Sequence, residues 1–210
     1  KARGYYPLSI YDIGAYKGNW SYMAKMIYPE AEIILIEPLE EMKENLIFFC
    51  EKNTKSKYFK YALGERIETL NMFVNKDLHS STFIEEKKSL NNKETRNTDV
   101  ITLDFLIQTY ELAIPNLIKV DIQGFEYKFL LGAKSTLPKV DILIIETSLY
   151  KFNGEEMPDI FQIIEFMYKN NFRIYDFPGF LKRPFDEALG QCDIAFVNNK
   201  CELVKTNNWN

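Results

Sequence analysis

The sequence predicts an α/β fold: a mostly parallel sheet with helices on both faces, closed by an antiparallel strand pair. Three observations carry this. Strand-like apolar runs alternate with segments of helical periodicity along the chain. Two of the runs, residues 31–37 and 140–146, are almost continuously apolar, as in strands buried on both faces. The first strand, residues 10–13, runs into a loop bounded by Gly14 and Gly18 and then into a helix, and in open α/β sheets ligands sit outside the carboxyl ends of the strands, where such a loop lies.

A chain of 210 residues is expected to form a single domain, residues 1–210, with a large core. At 46% hydrophobic and 27% charged residues it reads as globular, not disordered. A net charge of −4 and the lack of any basic run argue against a nucleic-acid partner. No apolar stretch approaches the ~18 residues of a membrane span, and no signal-peptide pattern opens the chain. The expected location is therefore cytoplasmic. Cys50, Cys192 and Cys201 are widely spaced and lack metal-ligand spacing, so they read as reduced packing thiols, and no metal site is expected.

Taken in order, Trp20, Met23, Ala24 and Ile27 mark a helix over residues 19–27. Residues 31–37 form the second strand, ending in Glu37 and Pro38. A second helix over 39–52 carries Met42, Leu46, Phe49 and Cys50. Residues 57–63 read as a third strand closed by Gly64, with Ala62 and Leu63 able to offer an apolar face to a purine. Residues 68–74 alternate as an extended segment. The polar stretch 85–99 reads as a mobile loop. A strand over 100–103 precedes a helix capped by Asp104. Residues 117–122 form a buried strand with Lys119 and Asp121 on one face, and a helix follows over 125–133. Residues 140–146 are a further strand ending in Glu146. Residues 160–168 are amphipathic, and 172–177 with 193–197 form the antiparallel pair, joined by a long loop.

The glycine loop fails two familiar patterns. Counting from Gly14, a dinucleotide fingerprint would need glycine where Tyr16 and Asn19 stand, and a P-loop would need Lys after Gly18. What remains is acidic-x-Gly-Ala-x-x-Gly. A carboxylate before the turn suits a cationic ligand better than a pyrophosphate. Glu37 follows Gly18 at close to the ~20-residue spacing at which an acidic residue meets a ribose in mononucleotide-binding folds. Its two oxygens match a pair of ribose hydroxyls.

These motifs, together with Ala62-Leu63-Gly64, residues 100–104, the run Ile118-Lys119-Val120-Asp121-Ile122-Gln123-Gly124-Phe125-Glu126, Leu131-Gly132-Ala133 and Ile144-Ile145-Glu146, resemble the FkbM family of S-adenosylmethionine-dependent methyltransferases. The resemblance runs from Tyr11 to about Val197. It implies a Rossmann-like class I methyltransferase fold with a seven-stranded, mostly parallel sheet and a C-terminal antiparallel hairpin. It implies that Asp12, Gly14 and Gly18, with Ala15 and Tyr16 between them, shape the pocket for the methionine part of S-adenosyl-L-methionine. Glu37, followed by Pro38, would hold the ribose, and Ala62 and Leu63 would lie near the adenine. The family usually has an acidic residue where this chain has Gln123, so a metal site built on that turn is not implied. The implied acceptor is a small molecule, probed first as a sugar or metabolite hydroxyl.

Candidates for the base are Asp121, His79, Glu126 and Glu146. Asp121 stands at a strand end beside the glycine loop and either takes the proton or binds the cofactor. His79, the only histidine, has the intrinsic pKa for the task. Two other readings stay open: a nucleotide- or NAD-binding oxidoreductase on a similar sheet, and a cofactor-binding module without catalysis. The acceptor-shaping segments are expected at residues 77–99 and 178–191.

Overall fold

The computed structural model describes residues 4–84, 94–152 and 154–206. Strand β1 (Ser9–Ile13) leads through the glycine loop to helix α1 (Asn19–Ile27) and strand β2 (Glu32–Ile36). A 3-10 turn at Glu40–Met42 enters α2 (Lys43–Lys52), followed by β3 (Lys57–Phe59). Then come β4 (Ala62–Leu63), β5 (Glu68–Val74), β6 (Glu94–Ile101), α3 (Leu103–Thr109), β7 (Leu117–Val120), α4 (Glu126–Leu131) and β8 (Ile142–Ser148). The chain finishes with α5 (Ile160–Lys169), β9 (Phe172–Lys182) and β10 (Leu189–Asn198).

Seven strands make one sheet in the order β3-β2-β1-β7-β8-β10-β9. The first five are parallel, and β10 runs antiparallel to both β8 and β9. Every residue of β1 is buried, because the sheet has a core on each side. Tyr11, Ile13, Ile34 and Ile36 pack with side chains of α3, α4 and α5, while Ile10, Ile33 and Leu35 pack with Ala24 of α1 and Leu46 and Phe49 of α2. Strand side chains alternate between faces, so the unbroken apolar runs seen in the sequence are what a two-sided core requires. The seven-stranded sheet and its antiparallel hairpin agree with the expected fold.

The structure departs from the sequence reading in five places. Residues 57–63 are two strands in two different sheets: β3 pairs with β2, whereas β4 pairs parallel with β6. A second sheet, β4-β6-β5, was not foreseen. Residues 94–99 of the expected mobile loop are ordered in β6 against β5, and the rest of that stretch, residues 85–93, lies outside the described residues. The cap of α3 is Thr102, whose side chain accepts from the Phe105 amide, not Asp104. Asp104 instead takes the amides of Ser135 and Thr136 and the Thr136 hydroxyl. Finally, residues 178–191 are mostly ladder: β9 and β10 pair as far as Lys182 and Leu189. Pro178 is tolerated because β9 is an edge strand. Among the described residues no helix is long and apolar enough to cross a membrane.

Candidate active site

A solvent-open cleft with about 610 Å³ of empty space lies at the carboxyl ends of β1, β2 and β7. Gly14, Tyr16, Glu37 and Pro38 form its floor, Ala62, Leu63 and Met72 one wall, and Asp121, Ile122 and Gln123 the other. The segment carrying Leu78, His79, Ser81 and Phe83 closes the side between them.

The glycine loop is held by the end of β2. The amides of Gly14 and Ala15 both donate to the Ile36 carbonyl, at 2.9 and 3.2 Å. Gly14 has φ +77, and an added Cβ would stand 1.8 Å from the Asp121 carbonyl oxygen. The glycine is therefore required by the neighbouring strand end. Gly18, also at positive φ, caps α1. Tyr16, at φ 46, and Gln123, at φ 54, are non-glycine residues in the left-handed region, both on the cleft. Such strain is held in place by surrounding bonds and concentrates at functional sites.

Glu37 is 5% exposed. Its Oε2 accepts from the Tyr16 amide at 2.9 Å and its Oε1 from the Leu39 amide at 3.0 Å. Each carboxylate oxygen has room for a second donor, so the pair stays open to a diol. Burial pushes the carboxyl up to about 7 against those two amide bonds. Asp12, by contrast, does not reach the cleft. It is fully buried, and its Oδ2 accepts from the Ser21 hydroxyl at 2.7 Å, while its Oδ1 has no partner among the described residues. Its part in shaping the pocket is to anchor α1 behind the loop. Ala15 and Gly18 likewise shape the loop without lining the cleft.

Asp121 faces the cleft with both oxygens engaged. Lys119 Nζ donates to Oδ2 at 2.9 Å and Gln123 Nε2 to Oδ1 at 3.0 Å. Burial pulls the Lys119 ammonium down, but the Asp121 and Asp12 carboxylates more than offset it and hold the pKa above the ordinary lysine value. Gln123 Nε2 also reaches Glu146 Oε2 at 3.4 Å, which in turn accepts from Gln191 Nε2 at 3.1 Å. Glu146 does not end its strand, since β8 continues to Ser148.

Glu126, a candidate base in the sequence, is placed elsewhere. It is 4% exposed, and its Oε1 accepts from the amides of Ile122 and Gly124, both at 3.1 Å. It fastens the turn between β7 and α4 and does not line the cleft. Burial pushes it up to about 7. His79 does line the cleft, its ring edge-on to Tyr16 at 5.3 Å. The Tyr16 hydroxyl donates to the Asp77 carbonyl, and Thr82 Oγ1 donates to the Gln123 carbonyl at 2.7 Å. The segment over 77–84 is thus tied to both rims. The sequence placed Lys119 on the face of Asp121, but nothing in it pointed to Gln191 as a member of this network, because only the strand register brings Gln191 to Glu146.

Glu37, Glu126 and Glu146 have consequences for stability. All three carboxyls are raised by burial, so between their unfolded and folded values the folded state binds more protons. Stability from these groups is complete below about pH 4.5 and falls as pH rises through about 8. Thermal melts of the ligand-free protein should show the melting temperature dropping across that window, with a smaller drop in Glu126→Gln. A flat profile would contradict the raised carboxyls.

Residues 12–174 match the methyltransferase FkbM domain. The chain belongs to the FkbM methyltransferase family. Among solved structures, this FkbM chain is similar to methyltransferase FkbM from Methylobacillus flagellatus KT, at 18% identity and a TM-score of 0.57, with 89% of this chain and 43% of that chain covered. It is also similar to TrmK of M. capricolum in complex with S-adenosyl-homocysteine, at 12% identity and a TM-score of 0.54, covering 92% of this chain and 63% of that one. A third is magnesium protoporphyrin IX methyltransferase from Synechocystis PCC 6803 with bound SAM, at 10% identity and a TM-score of 0.52, covering 92% and 71%. The FkbM chain thus spans less than half the length of its Methylobacillus relative. No curated protein matches it.

Proposed function

We propose that this FkbM chain binds S-adenosyl-L-methionine in the cleft and transfers its methyl group to a hydroxyl oxygen of a small molecule, a sugar or metabolite. The observation that supports this best is Glu37: a buried carboxylate at the end of β2, each oxygen carrying one amide donor, beside an apolar wall of Ala62 and Leu63. That pair of acceptor oxygens fits the two hydroxyls of a ribose diol with a purine next to it. The glycine loop and Tyr16 would hold the methionine part. The cofactor supplies an activated methyl group, and the chain supplies placement, which lowers the barrier by fixing the reacting geometry. Asp121, bonded to Lys119 and Gln123, is read as a binding group for the cationic end of the cofactor.

Thermal shift separates this reading from its rivals. S-adenosylmethionine or S-adenosylhomocysteine should raise the melting temperature and NAD should not; stabilisation by NAD alone would replace the reading with the oxidoreductase. Asp121→Asn gives a second expected result. Cofactor affinity should fall about tenfold, the ~1.4 kcal/mol scale of one charged hydrogen bond. A rate loss of roughly 10²–10⁴-fold with unchanged affinity would instead make Asp121 the base.

A further inference from the structure

Asp121, Glu146 and Asp193 stand in a row across three strands on one face of the sheet. The β7–β8 register, which pairs Lys119 with Ile144 and Val120 with Ile145, carries Asp121 opposite Glu146. Asp193 of β10 pairs directly with Glu146. On the far side of the row stands Gly179, where a Cβ would lie 2.3 Å from Asp193 Oδ2. Among the described residues no such group is arranged to hold a metal ion. Like charges placed opposite one another repel, and the row relieves this unevenly. Asp121 is compensated by Lys119. Glu146 is held only by amides: Gln123 Nε2 and Gln191 Nε2 both donate to Oε2, and no donor among the described residues reaches Oε1. One oxygen is pinned and the other is left to accept. Gln123, which does the pinning, lines the cleft beside Asp121; Glu146, half-buried where Glu126 is fully buried, adjoins the cleft through Gln123 without lining it.

We propose that Glu146 is the base that takes the acceptor's proton, with Gln123 and Gln191 as its positioning residues. The inference rests on the methyltransferase reading above. The acceptor oxygen bonds to the methyl carbon as the carbon–sulfur bond breaks, and that electron pair leaves on sulfur as a neutral thioether. The hydroxyl proton passes to Glu146 Oε1, and the carboxylate becomes a carboxylic acid. One positive and one negative charge disappear together, so no net charge is created in the site. Burial first, then the carboxylates of Asp121 on β7, Glu126 on α4 and Asp193 on β10, push Glu146 up to about 8, against the pull of Lys119. A base with that affinity for protons is matched to a working pH near neutrality.

The test compares S-adenosylmethionine with S-adenosylhomocysteine, which lacks the positive charge on sulfur. Both are titrated calorimetrically into the wild type, Glu146→Gln and His79→Ala from about pH 6 to 9. An ionised Glu146 attracts the sulfonium, so the wild-type preference for the charged ligand should grow roughly 50-fold as pH rises through 8, the factor at an effective dielectric of ~20 for unit charges ~7 Å apart, the reach from a base across the acceptor oxygen to sulfur. Glu146→Gln should lose the part of that growth centred near pH 8, keep the part near pH 7 where Glu37 ionises, and keep its fold by melting, and Glu146→Asp should restore part of what is lost. With methyl glycosides as probe acceptors, Glu146→Gln should lower kcat roughly 10²–10⁴-fold. The same pH dependence in Glu146→Gln as in the wild type, or its loss in His79→Ala alone, overturns the proposal. If neither ligand binds the wild type, it is the methyltransferase reading that fails.

Discussion

Gly14→Val is expected to abolish cofactor binding and to destabilise the fold as well. The reason is local. A Cβ at Gly14 would stand 1.8 Å from the Asp121 carbonyl oxygen, and the backbone there has φ +77, where a β-branched residue is an outlier. Neither strain can be relieved by rotating a side chain, because the colliding atom is backbone at the end of β7. β1 and β7 would have to separate where Asp121 N donates to the Ile13 carbonyl at 3.0 Å. That places the cost in the exceptional range of roughly 4–5 kcal/mol, or a melting temperature lower by about 10–20 °C for a chain of this size. Thermal melting and calorimetry read both effects. A variant that melts with the parent and binds cofactor normally would show that the two strand ends tolerate separation.

Glu37→Ala carries the largest binding effect expected of a residue whose removal leaves the sheet intact. Removing the carboxylate takes away the two acceptors proposed for the ribose and frees the amides of Tyr16 and Leu39. Hydrogen bonds to a charged group are worth about 1.5–3 kcal/mol, so cofactor affinity should fall between about 10- and 150-fold. Stability should fall less, because the raised carboxyl is itself a burial cost. Wild-type affinity should increase as pH rises through about 7, where the carboxyl ionises and becomes the better acceptor. Glu37→Gln, which keeps one acceptor, should fall in between. Unchanged affinity in a folded Glu37→Ala would remove Glu37 from the ribose site.

The parallel half of the sheet was legible because its residues must be apolar on both faces, and periodicity records that directly. Ile33, Ile34, Leu35 and Ile36 read as a buried strand before any partner is known. The second sheet was not legible. Nothing local between Phe59 and Ala62 marks a change of sheet, since no glycine or proline interrupts the run; the break is set by β4 finding β6 far along the chain. Residues 94–99 looked like loop because strands on a thin, exposed sheet need not be apolar. The choice of Thr102 over Asp104 as cap depends on where the preceding strand lets go, two residues earlier than the pattern suggested. At the site, Glu37 could be found from spacing, and Asp121 from its place at a strand end. Gln191 and Glu146 meet only through the antiparallel register of β8 and β10, which a sequence does not carry.

The wall that would face the adenine is joined to the rest of the molecule by little backbone. β4 and β6 share a two-residue ladder, Ala62 with Val100 and Leu63 with Ile101, extended by the Gly64 amide on the Ile101 carbonyl. The seven-stranded sheet does not depend on that ladder. Leu63 and Ile101 pack into the core on one side of the large sheet and Met72 and Val74 into the core on the other, but local opening of so short a ladder needs far less energy than global unfolding. A cofactor seated against Ala62 and Leu63 would hold that ladder closed, and amide hydrogen exchange would slow there while the central strands kept their unliganded rates.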